Sequence, residues 1–372
     1  GNSAKVTGDQ NITLSSYAEH NADASEAFGG ASSITSAQLL GQIVKTTAHT
    51  TVNGTVTSEG RMSVTSEAKN RASETSGLSS LAAGDLDIFA EAMGVVGVNV
   101  APSYMVMHSE AQTKIGADAV LTAKGADVME AGNDAIKNHA LTVGADATAS
   151  VDAGATTSKV KFANIKHTNV VPAMAVGYAK AQSAADVTVE GSLTAEAGSV
   201  DVHAKSHEDL QAAVQAKTTQ VAAGADSTQI MNAAVLIARG SNTAQTKIAD
   251  KAHISAKGEA NVVARTSTNL DTSASASGKE NSLLNAVVNV TKQDSAAHTE
   301  IQGSVKGGAA VHIRADNEQL KNIVQASTAV GSSAFKTQSI NAALQTNTIS
   351  SIINKLKDTI TKIRTASGFP SD

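Results

Sequence analysis

Apolar and polar positions alternate with a period of two along most of the chain, in runs punctuated by Gly, Asn and Asp. In Thr299-Glu300-Ile301 and Val311-His312-Ile313, one side chain in two is apolar. Successive side chains of a strand point to opposite faces, so this pattern predicts strands with one buried face. The intervening Gly, Asn and Asp read as turns, which makes the expected strands short and numerous.

The alternating runs form a repeat: an apolar strand, a polar link, an Ala-x-Thr-x-Val/Ile step, a Gly or Asp turn, and two further alternating runs. One copy reads Ala286-Val287-Val288-Asn289-Val290, then Ala297-His298-Thr299-Glu300-Ile301, Gly303-Ser304-Val305 and Ala310-Val311-His312-Ile313-Arg314-Ala315. The step recurs with anchors Ala48 and Val52, Ala111 and Ile115, Ala185 and Val189, Ala244 and Ile248, and Ala297 and Ile301. Successive anchor alanines are 63, 74, 59 and 53 residues apart. Val6-Thr7-Gly8 and Asn11-Ile12-Thr13-Leu14 read as the tail of a preceding copy.

Short strands could also build a sandwich or a barrel. Equivalent strands one repeat apart, however, can stack on one another in register. The expected fold is therefore all-β, a right-handed parallel β-helix (β-solenoid) over residues 1–345, with five repeats and a partial one. Unequal intervals fit, because a solenoid takes up extra residues in loops. The range Gly132 to Phe162, in the longest interval, is expected to be such a loop.

The C-terminus departs from this pattern. Ile349, Ile353, Leu356, Ile360 and Ile363 are spaced four, three, four and three, with Ile352 beside them and charged residues elsewhere. That stripe predicts an amphipathic helix over 346–365, capping the solenoid or meeting a partner. Two heptads are too few for a free coiled coil.

Composition narrows the core. Aromatics are 2% of the 372 residues, there is no Trp, and the apolar residues are mainly Ala, Val, Ile and Leu. Such a core is thin. Disorder is argued against by 41% hydrophobic residues and a net charge of −5. That charge gives no support to nucleic-acid binding. Ala-rich stretches such as Glu208 to Ala216 and Ser183 to Val187 admit a helical reading, but Thr, Val and Ser between the alanines favour strand.

Chemical motifs are sparse. Without Cys there is no thiol catalysis and no thiolate metal site. Phosphate-binding loops, nucleophile elbows and His-x-x-x-His pairs are missing. His49, His298 and His312 sit at the solvent-facing positions of strands. His203 and His207, the closest pair, read as exposed surface and not as a metal site. Asp85, Asp87, Asp146 and Asp152 read as isolated acids near turns, too few for calcium. A glycan-cleaving site needs paired carboxylates and usually an aromatic platform, and Tyr17, Tyr104 and Tyr178 are too few. Ice binding would need a Thr-x-Thr in every coil. No enzyme activity and no cofactor is therefore expected. No apolar run reaches the roughly 18 residues of a transmembrane helix. No signal peptide is visible, and the opening Gly1-Asn2-Ser3 suggests a mature product or an excised piece.

Over residues 37–345 the repeat resembles those of giant filamentous-haemagglutinin-like or leukotoxin-type bacterial adhesins. The resemblance implies an exported, extracellular or cell-surface β-helix. Its partners would be host or bacterial surface molecules, protein or glycan, or copies of itself. Two function classes follow: a non-catalytic adhesive or structural segment, and a self-assembling filament subunit. A carbohydrate-active β-helix is a lesser third.

Overall fold

The protein is described by a computed structural model over residues 4–29, 36–37, 40–79, 99–130, 136–158, 170–217, 229–278, 282–330 and 338–345. It is a parallel β-solenoid. Nineteen of its strands stack into three parallel sheets.

The chain enters with β1 (Lys5–Gly8) and β2 (Ile12–Gly29), and then makes five full coils. Each coil is a long strand, a short strand and a second long strand. The coils are β3 (Ser36–Ala37) with β4 (Leu40–Val52), β5 (Thr55–Ser58) and β6 (Met62–Ser79); β7 (Asn99–Ile115), β8 (Val120–Ala123) and, after β9 (Val128–Met129) and β10 (Ile136–Asn138), β11 (Leu141–Ser158); β12 (Val170–Val189), β13 (Ser192–Ala195) and β14 (Val200–Lys217); β15 (Gln229–Ile248), β16 (His253–Ala256) and β17 (Glu259–Gly278); and β18 (Ser282–Ile301), β19 (Ser304–Gly307) and β20 (Ala310–Val330). Strand β21 (Gln338–Gln345) opens a sixth layer on β18.

The first long strands of the coils form a front sheet, the short strands a short sheet, and the last long strands a back sheet. Front and back sheets lie face to face, and the short sheet closes one end between them. A strand of 18–20 residues spans ~60 Å at ~3.3 Å per residue, and neighbouring coils lie ~4.8 Å apart.

The anchor residues line up in two columns of the front sheet. Ala48, Ala111, Ala185, Ala244 and Ala297 are in register from coil to coil, as are Val52, Ile115, Val189, Ile248 and Ile301. All point inward. The first four of each column are buried, and Ala297 and Ile301 in the last coil are partly so.

The threonine between them is inward as well, and its hydroxyl reaches across the core. Thr50, Thr113, Thr246 and Thr299 donate to the carbonyls of Thr65, Gly144, Val263 and Arg314 at 2.9, 2.6, 2.9 and 2.6 Å. Those carbonyls also belong to one column of the back sheet. In the third coil Val187 replaces the threonine. The Ala-x-Thr-x-Val/Ile step is thus a packing and clasping device, and its threonine is unavailable to ice.

Two residues before each anchor alanine the front sheet carries a wholly polar inward column: Thr46, Ser109, Ser183, Asn242 and Ser295. Each bonds to the back sheet. Thr46 donates to Asn70, and Ser109 donates to the Ala68 carbonyl at 2.8 Å. Ser183 accepts from Ser206 at 2.8 Å, and Asn242 donates to the Ser267 carbonyl at 2.7 Å. Ser295 donates to Asn317 at 2.9 Å. This seam separates two apolar clusters, one at the three-walled end and one between the long sheets.

Several expectations are corrected. The long strands reach 21 residues, far longer than the turn signals suggested. Their inward faces carry Thr, Ser and Asn as well as Val and Leu, which hides the period. In β17 the buried set includes Ala260, Val262, Ala264, Thr266, Thr268, Leu270 and Thr272. Glu208–Ala216 and Ser183–Val187, by contrast, are strand as their β-branched residues favoured, within β14 and β12, and no helix occurs among the described residues. The presumed loop Gly132–Phe162 contains all of β11, a central strand of the back sheet. Asp146 and Asp152 lie inside that strand and not at turns, while Asp85 and Asp87 fall outside the described residues. The expected 346–365 helix with Ile349, Ile353, Leu356, Ile360 and Ile363 also lies outside the described residues.

Candidate binding cleft on the back sheet

Among the described residues one coil departs from the plan. Between β8 and β11 the chain leaves the solenoid and forms the antiparallel pair β9–β10. Asp127 ties off the base of this excursion. Its Oδ1 accepts from the backbone N–H of Ala140 at 2.8 Å and of Ser199 at 2.9 Å, and its Oδ2 accepts from the Ser199 hydroxyl at 2.8 Å. Ser199 Oγ accepts in turn from the Glu259 N–H at 2.9 Å. One carboxylate therefore links three successive coils beneath the excursion.

The excursion overhangs the outer face of the back sheet and encloses a cleft of about 540 Å³. Thr13, Ser63, Thr142 and Asp201 share one outward column of the floor. Ile136 to His139 supply the overhanging wall, and Arg61, Lys137 and Lys205 contribute cations.

His203 lies at the back of the cleft and is buried, which corrects the exposed reading of this residue. Its ring lies over Gly144 in the next coil, where an added Cβ would sit 2.6 Å from Nε2. Any side chain at 144 would displace the imidazole. Nδ1 lies 2.6 Å from Asp201 Oδ2, and Nε2 lies 3.6 Å from Asp146 Oδ2. Burial works against the imidazolium, but the nearby Asp146 carboxylate and the bond to Asp201 outweigh it and raise the pKa from 6.5 to about 9. Burial likewise opposes the Asp201 charge, yet the His203 bond holds that carboxyl below its usual range.

At neutral pH both nitrogens of His203 carry protons directed at carboxylates. The ring offers no lone pair to a metal or to a substrate proton. The imidazolium lies between Asp201 and Asp146, and Arg61, Lys137 and Lys205 are further cations lining the cleft, Lys205 standing opposite Asp146 on the neighbouring strand. Nδ1 of His139, in the overhanging wall, is buried without a hydrogen-bond partner. The arrangement can hold an anion.

A second concavity of about 880 Å³ lies further along the same outer face, between Glu19, Arg71, Asp152 and Asp209. His207 lines it and bonds the Ser267 hydroxyl at 2.8 Å. Tyr104 and Tyr178, one repeat apart, stack with ring centroids 5.0 Å apart on the front sheet. Tyr17 lies on the back sheet under the Lys69 ammonium. His49 and His298 are exposed and His312 half-exposed. Among the described residues no group of three or more His, Cys, Asp or Glu could hold a metal ion. None of their helices is long and apolar enough to cross a membrane.

The described residues form a parallel β-solenoid with one decorated coil. Comparison with protein-family models, with curated proteins and with solved structures returns no match for this chain.

Sequence reasoning missed the cleft because its floor comes from coils some sixty residues apart. One signal was available. The interval between anchors 111 and 185 is the longest, and part of its excess lies between β8 and β11, where other coils have a tight turn.

Proposed function

We propose that the chain is a non-catalytic β-solenoid segment of a bacterial surface or secreted protein, a scaffold that presents its outer faces to host or bacterial surface molecules. The observation that carries this reading is the division of labour between faces. Inward residues are used throughout for packing and cross-core bonds, and the one described excursion builds a cleft on an outer face. The resemblance of the repeat to giant adhesins points the same way. The test is adhesion of fluorescent beads coated with the purified chain to host cells and to bacteria. Saturable adhesion that soluble chain competes away is expected. Beads that adhere no better than albumin-coated ones sink the adhesive reading.

A second reading, a self-assembling filament subunit, is favoured by the last coil. Val311 and Ile313 belong to inward columns yet are 43% and 51% exposed. Leu320, the extra residue of a bulge opposite Thr268 and Asn269, is 57% exposed. Open sheet edges beside apolar side chains recruit further strands. Electron microscopy at rising concentration decides this: ligand-free fibres support assembly, and dispersed particles refute it.

A further inference from the structure

We infer that the cleft under the β9–β10 excursion binds an acidic saccharide, whose carboxylate or sulfate groups are drawn by Arg61, Lys137 and Lys205 along its length. The inference rests on the adhesive reading and names the ligand class for one site.

Charge supplies the first argument. The chain carries a net −5, yet at this cleft Arg61, Lys137, Lys205 and the His203 imidazolium outnumber the Asp201 and Asp146 carboxylates. Charges of one sign in a recess draw in the opposite sign. Arg61 stands just before β6, Lys137 in the overhanging wall and Lys205 on β14, six register positions from Arg61 or ~20 Å at ~3.3 Å per residue, so the cations are spread along the cleft and suit an extended acidic ligand.

The floor supplies the second. Thr13, Ser63 and Thr142 stand in one outward column on three adjacent strands. Their hydroxyls form a ladder with a step of ~4.8 Å, each able to donate and to accept. A ligand rich in hydroxyls satisfies such a ladder; a bare inorganic anion leaves it unused. Asn138 in the wall adds an amide. No Phe, Tyr or Trp lines the cleft, so a nucleobase has nothing to stack on. About 540 Å³ falls within the range of small-molecule sites, roughly 300–1,000 Å³.

Pre-organisation supplies the third. Asp127 fixes both ends of the excursion, and the Asp201–His203–Asp146 chain locks the back of the floor. The unpartnered Nδ1 of His139 is one more group that a ligand hydroxyl would satisfy.

The experiment is isothermal titration of the whole chain with four probes: a sulfated disaccharide, a uronic-acid disaccharide, the neutral disaccharide of the same skeleton, and inorganic sulfate. At least one acidic disaccharide is expected to bind, with the neutral one and inorganic sulfate weaker by about tenfold or more, as for loss of a charge-assisted bond. Arg61→Ala and Lys205→Ala should each weaken the acidic disaccharide by a similar factor. Thr142→Val should weaken the disaccharide and leave sulfate unchanged. Circular dichroism melting verifies that each variant is folded, and Lys124→Ala, outside the cleft lining, serves as a charge control. The proposal is overturned by no binding of either acidic disaccharide, by equal binding of the neutral one, by sulfate binding as tightly as the sulfated disaccharide, or by unchanged affinity in both cation variants. If it is overturned while coated beads still adhere to cells, the cleft assignment alone fails. If adhesion is absent too, the adhesive reading fails with it.

Discussion

The three-walled end of the solenoid and its two-walled remainder solve the same packing problem with different residues. At the closed end, three sheets surround a lumen filled by Ile115, Leu121, Leu141, Leu193, Ile248 and Ile254, all fully or nearly fully buried. Beyond the polar seam two sheets face each other directly, and alanine takes many of the inward positions: Ala153, Ala155, Ala175, Ala179, Ala181, Ala212, Ala216 and Ala234. Branched side chains fill a gap with three walls, whereas small ones let two flat sheets approach closely. Among the described residues the two-walled part also buries carboxyl groups, Glu74 and Glu208, whereas the buried polar residues of the closed end are hydroxyls such as Thr113 and Thr246. Glu208 is the extreme case.

Glu208 is fully buried between the long sheets. Its Oε2 accepts from Gln293 Nε2 at 3.0 Å. Glu208 Oε1 and Gln293 Oε1 both crowd the space where Gly240 lacks a side chain, and neither has a hydrogen-bond partner. Two acceptors face each other there, and a proton on Glu208 turns that opposition into a bond. Burial pushes the Glu208 pKa from 4.5 up to about 8, so the carboxyl is protonated at neutral pH. A Cβ at position 240 would displace both side-chain ends.

The contrast can be broken by mutation. The largest effect is expected at the closed end, where Leu193→Ala or Ile248→Ala should destabilise by about 2–5 kcal/mol in denaturant titration. In the two-walled part the damaging change is the opposite one. Ala179→Leu should cost about 1–3 kcal/mol through overpacking. If the leucine is accommodated without loss, the sheets are not as closely apposed as the alanines imply.

The next effect depends on pH. Unfolded Glu208 ionises above about 4.5, whereas the folded group keeps its proton to about 8. Between those values the native state holds the extra proton, so stability falls as pH rises. His203 acts in the same direction between 6.5 and about 9: its stabilisation is complete below 6.5 and is lost as pH rises through 9. Stability should therefore decline from pH 5 to pH 9 by an amount on the order of a few kcal/mol. Glu208→Gln, which can donate to Gln293 at any pH, should flatten the Glu208 part of that decline and raise stability at pH 9. An unchanged pH profile would show that Glu208 ionises freely in the folded chain.

The smallest effects lie on the cross-core bonds. Thr246→Val leaves the Val263 carbonyl without its donor and should cost about 1 kcal/mol. Val187→Thr, in the coil without the clasp, tests the converse. A gain of up to about 1 kcal/mol is expected if the new hydroxyl reaches the His203 carbonyl, which occupies the acceptor column.

How much of this was legible follows from the same division. The closed end could be read directly, because its branched residues recur at fixed offsets from Ala48, Ala111, Ala185, Ala244 and Ala297. The strand extensions were hidden, because Ser206, Thr268, Thr272 and Asn289 are polar by type yet face inward. Their partners are strands of other coils, and sequence spacing does not display those. His203 escaped for a similar reason. Its outward position on β14 predicts exposure, whereas Gly144, Asp146 and Asp201 surround the ring at the back of the cleft walled by Ile136 to His139. The site residues are individually unremarkable polar groups, and the columns of the back sheet bring them together.

The threonine clasp carries one more consequence. Its acceptor is a peptide carbonyl, supplied in turn by Thr65, Gly144, Val263 and Arg314, four residues with nothing in common as side chains. A lock that engages only backbone asks nothing of the sequence it closes upon. Donor and acceptor lie in the same coil each time, so a coil carries its whole lock with it, and this lock needs no matching residue in a neighbour when a rod lengthens by duplication or exchanges coils by recombination.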